Sequence, residues 1–156
     1  MPDFSIRSAT ASDSQSIVSL LRELADYEKL LDNFALDEAA AARDMLGAAC
    51  HSELVFVDGA AAGIAAWFWI YKSFGAARGV YVEDLYVRPE FRGRGLGRAL
   101  LAHLAGKARD VGGFMEWQVL DWNAPSIEFY KSLGAVPRDN WINYRLMGDA
   151  LRKLAS

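Results

Sequence analysis

The sequence predicts a mixed α/β fold in a single domain. Three observations lead there. Alternating apolar segments interleave with segments of helical spacing in the order βααβββαβαβ. The 156 residues fit one domain large enough to bury a real core. A strand ending at Val87 runs through a glycine-rich turn into a helix marked by Leu96, Leu100, Leu101, Leu104 and Ala108. No repeat, low-complexity stretch or linker interrupts the chain, so one domain over residues 1–156 is expected.

Each element has a local reason. Phe4 to Thr10 alternates and reads as the first strand. Thr10 and Asp13 have the spacing of a capping box. Ile17, Leu20, Leu21 and Leu24 then mark the buried face of a helix to about Ala25. Asp26 to Phe34 mixes large apolar and charged residues and reads as a surface loop. Asp37 to Leu46 is an alanine-rich helix stopped by Gly47. Ser52 to Asp58 and Ala62 to Tyr71 form a hairpin, with Asp58 and Gly59 supplying the turn. Trp67, Trp69 and Tyr71 share one face of that second strand, which suits core or dimer packing. Gly79 to Val87 is the next strand, and Gly95 to about Asp110 the main helix, ended by Gly112 and Gly113. Phe114 to Leu120 alternates as a strand. Asn123 caps a helix with Pro125 in its first turn, and that helix stops at Gly134. Trp141 to Met147 reads as a final strand before a short helical tail.

Composition narrows the function classes. The chain is 53% hydrophobic and 24% charged, as globular proteins usually are. A net charge of −3 argues against a general nucleic-acid binder, and the arginines between residues 88 and 98 form a local patch. A single cysteine, Cys50, excludes a disulfide framework, and with His51 and His103 far apart no metal site is expected. Cys50 reads as a bystander thiol and His103 as a surface histidine. Met1 to Phe4 lacks the basic and apolar regions of a signal peptide. The longest apolar run, Ala60 to Tyr71, is about half the roughly 20 residues a membrane-spanning helix needs. A cytoplasmic protein without membrane or nucleic-acid partners is therefore expected.

The stretch Arg92-Gly93-Arg94-Gly95-Leu96-Gly97 carries the first chemical signal. A glycine turn opening a helix presents unpaired N–H groups and a positive dipole end, which attract phosphate. Glycine lets the anion approach the backbone, and Arg92, Arg94 and Arg98 add positive charge. The Gly-Lys-Ser/Thr of a triphosphatase loop is absent, and so is the G-x-G-x-x-G of a dinucleotide fold. The remaining pattern is R-x-x-G-x-G, which suits a pyrophosphate; a ligand-free helix cap is the bland alternative. Asn123, Ser126, Ile127 and Tyr130 supply a second signal, since their spacing puts an amide, a hydroxyl and a phenol on one helix face. Alone they also fit an N-cap followed by a helix with a core tyrosine.

In order along the chain come Ile6 to Thr10, Leu24 to Glu28, Tyr81 to Val87, the Arg92 to Gly97 loop, and Trp122 to Tyr130. On these segments the sequence resembles the GNAT N-acetyltransferase superfamily, and within it the diamine and polyamine branch of spermidine/spermine-type and thialysine-acetylating enzymes. The resemblance implies a mostly antiparallel central sheet with helices on both faces. It also implies acetyl-CoA as cosubstrate, no metal, a small-molecule amine as acceptor, and a homodimer. Acetyl-CoA would be held by the backbone of Leu85, Tyr86 and Val87, by Arg92, Gly93, Arg94, Gly95, Leu96 and Gly97, and by Asn123, Ser126 and Tyr130. The amine would meet Tyr27, Glu28, Glu83 and Asp84. The family also places an acidic residue near the last strand, where this chain has none between Trp141 and Leu146 and only Asp139 nearby.

An amine with a pKa near 10.4 must lose a proton before it attacks a thioester. A carboxylate can attract the cation and take that proton, directly or through water. Adjacent residues of a regular strand point to opposite faces, so one of Glu83 and Asp84 is expected at the amine, and Glu83 is the expected base. A backbone N–H near Tyr86 and Val87 would steady the oxyanion, and Tyr130 would protonate the departing thiolate. Direct attack needs no covalent enzyme intermediate. Two alternatives stand beside this reading: acetylation of a protein or peptide amine, and a non-catalytic acetyl-CoA-binding module.

Overall fold

The strands pair in chain order, through two tight connections and two that carry helices. A computed structural model describes residues 3–156. Met1 and Pro2, the start of the N-terminal stretch read above, lie outside the described residues. Two compact units divide the chain, the first ending at Gln118 and the second spanning Val119–Ser156.

The first unit holds a sheet of β1 (Ser5–Ser8), β2 (His51–Val57), β3 (Ala60–Lys72), β4 (Ala77–Val87) and β5 (Phe114–Trp117), hydrogen-bonded in that order. The first four strands are antiparallel. Asp58 and Gly59, at φ 49° and 80°, make the two-residue turn that joins β2 to β3. β5 runs parallel to β4, and a parallel partner requires a crossover, here the helix α3 (Leu96–Asp110).

Helices cover both faces. α1 (Ser14–Tyr27) and α2 (Glu38–Asp44) pack Ile17, Leu20, Leu21, Leu24, Ala41 and Met45 against Leu54, Ile64, Ala66 and Tyr86. These are the apolar positions that the helical spacing marks. On α3, Leu96, Leu100, Leu101, Leu104 and Ala108 are buried, as their spacing requires. The capping-box residues form as expected. Asp13 accepts from the Thr10 N–H at 2.8 Å, and Arg7 grips its carboxylate at 2.7 Å. That guanidinium contact, with the Thr10 bonds, holds the Asp13 carboxyl well below the usual carboxylate range.

Two strand assignments change. β5 stops at Trp117 rather than Leu120, because its ladder ends where β4 bulges. In the second unit Trp141 to Met147 forms no strand among the described residues. Alternation sets which way side chains point, but a strand also needs a ladder partner, and this segment has none. Its apolar side chains are exposed, Ile142 to 78% and Tyr144 to 92%. The rest of that unit is α4 (Ala124–Ser132) and α5 (Gly148–Leu154).

Candidate functional site

Two irregularities of β4 shape the site in the first unit. Ala66 pairs with Asp84 and Trp67 with Val82, which leaves Glu83 as the extra residue of a bulge. The ladder to β5 ends there too, at Val82 and Trp117. From residue 84 to 87, β4 is therefore laddered on its β3 side alone. The Arg88 N–H donates to the Ala62 carbonyl at 2.9 Å. Counting back in twos, the Tyr86 N–H faces β3, while those of Leu85 and Val87 face the open edge. Leu85 and Val87 thus offer the amides expected of them. Tyr86 does not; its ring packs in the core.

A single 3-10 turn, Pro89–Phe91, links the open edge to the glycine turn. Gly93 and Gly95 have φ of 74° and 77°, a region costly for residues with a Cβ. A Cβ added at either would meet nothing within 4 Å, so the backbone there is open to a ligand. Gly95 is the N-cap of α3 and brings no capping side chain. The N–H groups of residues 96 to 98 have no acceptor within the helix, and with the helix dipole they suit an anion. Gly97 has an ordinary helical φ; a Cβ there would touch Val87 at 3.9 Å. Arg94 and Arg98 are exposed beside the turn.

The other arginines are committed. Arg88 binds Glu23 through Nε at 3.0 Å and Nη2 at 2.9 Å, and gives Nη1 to the Ala61 carbonyl at 2.9 Å. Arg92 donates from Nε to the Val87 carbonyl at 2.9 Å, and its guanidinium lies over the rings of Tyr27 and Tyr86.

Three carboxylates gather around the bulge. Burial, then the charges of Glu83 and Glu28, push the Asp84 carboxyl up to about 7. Burial also raises Glu28, which caps the C-terminus of α1. The expected division of Glu83 and Asp84 between opposite faces presumes a regular strand, and the bulge removes that premise. Glu83 is exposed and Asp84 half-buried. Cys50 lies near the same acids: burial, then the charges of Asp84, Glu83 and Asp44, push its thiol up to about 11. A thiol so reluctant to ionise is no nucleophile at neutral pH. Tyr81 is raised by burial and then by Glu83 and Glu116.

One buried group escaped the sequence reading. Glu53, 1% exposed on β2, accepts from Ser8 Oγ at 3.0 Å and Trp67 Nε1 at 3.3 Å. His103 and Lys107 of α3 approach it at 3.4 and 3.5 Å. His103 is therefore not the surface histidine expected of it. Trp67 is buried and stacks on His51 at 4.4 Å, whereas Tyr71 is 64% exposed. His103 and Lys107, one helical turn apart on α3, were the available signal for this cluster.

In the second unit Asn123 is buried and caps α4, its Oδ1 accepting from the Ser126 N–H at 3.4 Å. Ser126, Ile127 and Tyr130 are half-buried, whereas Ala124, Pro125 and Glu128 are exposed. Phe129, off the face that the spacing predicts, is half-buried as well. Asp139 is exposed. Among the described residues no group of His, Cys, Asp or Glu side chains converges to hold a metal ion. No helix among them is long and apolar enough to cross a membrane.

The model of the acetyltransferase (GNAT) family matches residues 15–135. A thialysine N-epsilon-acetyltransferase of Sus scrofa is 34% identical over 96% of this chain and 96% of its own. An L-ornithine N5-acetyltransferase of Arabidopsis thaliana is 41% identical over 62% of this chain and 43% of its own. The solved structure of an integron cassette protein from V. cholerae has the same fold, with a TM-score of 0.82 at 24% identity over 98% of both chains.

Proposed function

Because this chain belongs to the acetyltransferase (GNAT) family, we propose that it moves an acetyl group from acetyl-CoA to a primary amine of a small molecule by direct attack in a ternary complex. The observation that carries the proposal is a pairing: the free amide edge of β4 is followed, after one 3-10 turn, by two open, positive-φ glycines at the start of α3. Such a run of donors suits a long, polar thioester carrier ending in a pyrophosphate. The relatives named for the N-epsilon of thialysine and the N5 of ornithine favour an amine at the end of a short chain.

Glu28, Glu83 and Asp84 draw in the ammonium, with Tyr27 beside them. Of the adjacent pair, burial supports Asp84 as proton acceptor, with exposed Glu83 supplying charge and a route through water. A carboxyl near 7 is partly ionised at neutral pH, and an arriving cation ionises it further. The N–H groups of Leu85 and Val87 receive the acetyl oxygen as it gains negative charge. Arg92, Arg94, Arg98 and the turn from Gly93 to Gly97 hold the pyrophosphate. Asn123 and Ser126 complete the coenzyme contacts, and Tyr130 protonates the departing thiolate, a group whose basicity lies near a cysteine's 8.5. The chain acts as one catalytic domain and as a homodimer, for which the exposed apolar side chains of the second unit offer surface.

The test is release of coenzyme thiol from acetyl-CoA with thialysine, ornithine, diamines, polyamines and peptides in turn. Release with small amines and none with peptides is expected. Coenzyme binding without release for any amine would make the chain a binding module instead.

A further inference from the structure

Between Tyr86 on β4 and Leu96 on α3 no residue is buried, so the connector that carries the glycine turn has little core of its own. Its backbone bonds, from the Phe91 N–H to the Arg88 carbonyl and from the Arg92 N–H to the Pro89 carbonyl, are local. Arg92 donates to the Val87 carbonyl and lies over Tyr27 and Tyr86, but it is also one of the groups offered to the phosphate. Arg88, where the chain leaves the sheet, is tied to other elements. Its Nε and Nη2 meet the Glu23 carboxylate at 3.0 and 2.9 Å, and its Nη1 donates to the Ala61 carbonyl at 2.9 Å. The Tyr86 hydroxyl donates to the same carboxylate. Each support belongs to the core: Glu23 stands on α1 between buried Leu20 and Leu24, Ala61 packs against the same cluster, and the Tyr86 ring lies within it.

A coenzyme that spans the amides of Leu85 and Val87 and the N–H groups of residues 96 to 98 needs the two sets at a fixed separation. A loop already held in its bound shape spares binding an ordering cost. A bidentate pair of arginine and carboxylate sets direction as well as distance. From this we infer that Arg88 and Glu23 are positioning residues for the coenzyme: the pair fixes the angle at which the connector leaves β4, and so the place of the glycine turn. Neither residue needs to touch the coenzyme. This inference rests on the acetyl-CoA reading above. Charge alone predicts the opposite effect for Glu23. A carboxylate near an anion site repels the anion, so losing that charge would tighten coenzyme binding or leave it unchanged. A positioning carboxylate supports binding, and its loss weakens it.

Calorimetric titration of coenzyme A into the wild type, Glu23→Ala, Arg88→Lys and the double variant tests the pair, with urea unfolding of each as the check on folding. Glu23→Ala should bind about tenfold more weakly, the scale of one charge-assisted hydrogen bond. Arg88→Lys should lose a similar factor, because an ammonium keeps the charge but not the fork. The double variant should bind no more weakly than the poorer single variant, since both remove one contact. If Glu23→Ala does not fold, Glu23→Gln carries the same prediction at about threefold, because one neutral hydrogen bond survives. Unchanged or tighter binding in either single variant, even with a lowered urea midpoint, overturns the inference. So does a double loss equal to the product of the single losses. Both results leave the functional reading standing. No heat with the wild type overturns the functional reading itself, and this inference with it.

Discussion

Asp84 keeps its proton to about pH 7 because burial and two neighbouring carboxylates penalise its charge. This has a consequence for activity and another for stability. If Asp84 accepts the proton, turnover should rise with pH through the neutral range, and Asp84→Asn should remove that limb while Glu83→Gln keeps it. A wild-type limb surviving in Asp84→Asn would move the base elsewhere. For stability the sign is the reverse. Between the ordinary carboxyl value of 3.8 and about 7, the folded chain holds a proton that the unfolded chain has released. The Asp84 contribution to folding is thus present at low pH and lost as pH rises through that window. Urea unfolding should show the wild type losing stability relative to Asp84→Asn between about pH 4 and about pH 8. Tyr130→Phe should lower turnover about a hundredfold, the usual scale of a lost general acid, with coenzyme affinity nearly unchanged. Equal losses in both would make Tyr130 a binding group.

The element that presents the glycine turn is α3, and Leu104 on its buried face is wholly enclosed. Leu104→Ala should cost about 2–5 kcal/mol in urea unfolding, and a cost below about 1 kcal/mol would mean that α3 is not anchored by this face. That face was legible in the sequence because helical periodicity is local: Leu96, Leu100, Leu101 and Leu104 announce it alone. The same holds for the Asp58-Gly59 hairpin and for the Asn123 cap. What stayed hidden is long-range. Glu53 looks like an ordinary strand carboxylate until folding brings Ser8, Trp67, His103 and Lys107 to it. The bulge at Glu83 comes from the register of β4 against β3, which alternation does not encode. It shortens β5, and it undoes the opposite-face reading of Glu83 and Asp84. Trp141 to Met147 shows the converse, a strand pattern without a partner. That the Arg92 guanidinium lies over the rings of Tyr27 and Tyr86 was not legible, because α1 and β4 meet only on folding.

At the scale of the whole molecule, the first unit carries the sheet, the glycine turn and the carboxylates, and the second carries Asn123, Ser126 and Tyr130. The second unit also exposes Val136, Trp141, Ile142, Tyr144 and Met147, more apolar side chain than a solitary chain commonly leaves in water. Sedimentation equilibrium should accordingly return twice the 17.2 kDa chain mass, and a single-chain mass at all concentrations would remove the homodimer from the account. Everything proposed for catalysis depends on acetyl-CoA seating on the turn between β4 and α3. The most direct measurement is calorimetric titration of acetyl-CoA into the wild type and into Gly95→Val, a substitution at a positive-φ position with open space above it. The account predicts saturable heat with one coenzyme per chain for the wild type, and affinity at least about tenfold weaker for a correctly folded variant. No heat with the wild type, or the same affinity in both, would contradict it.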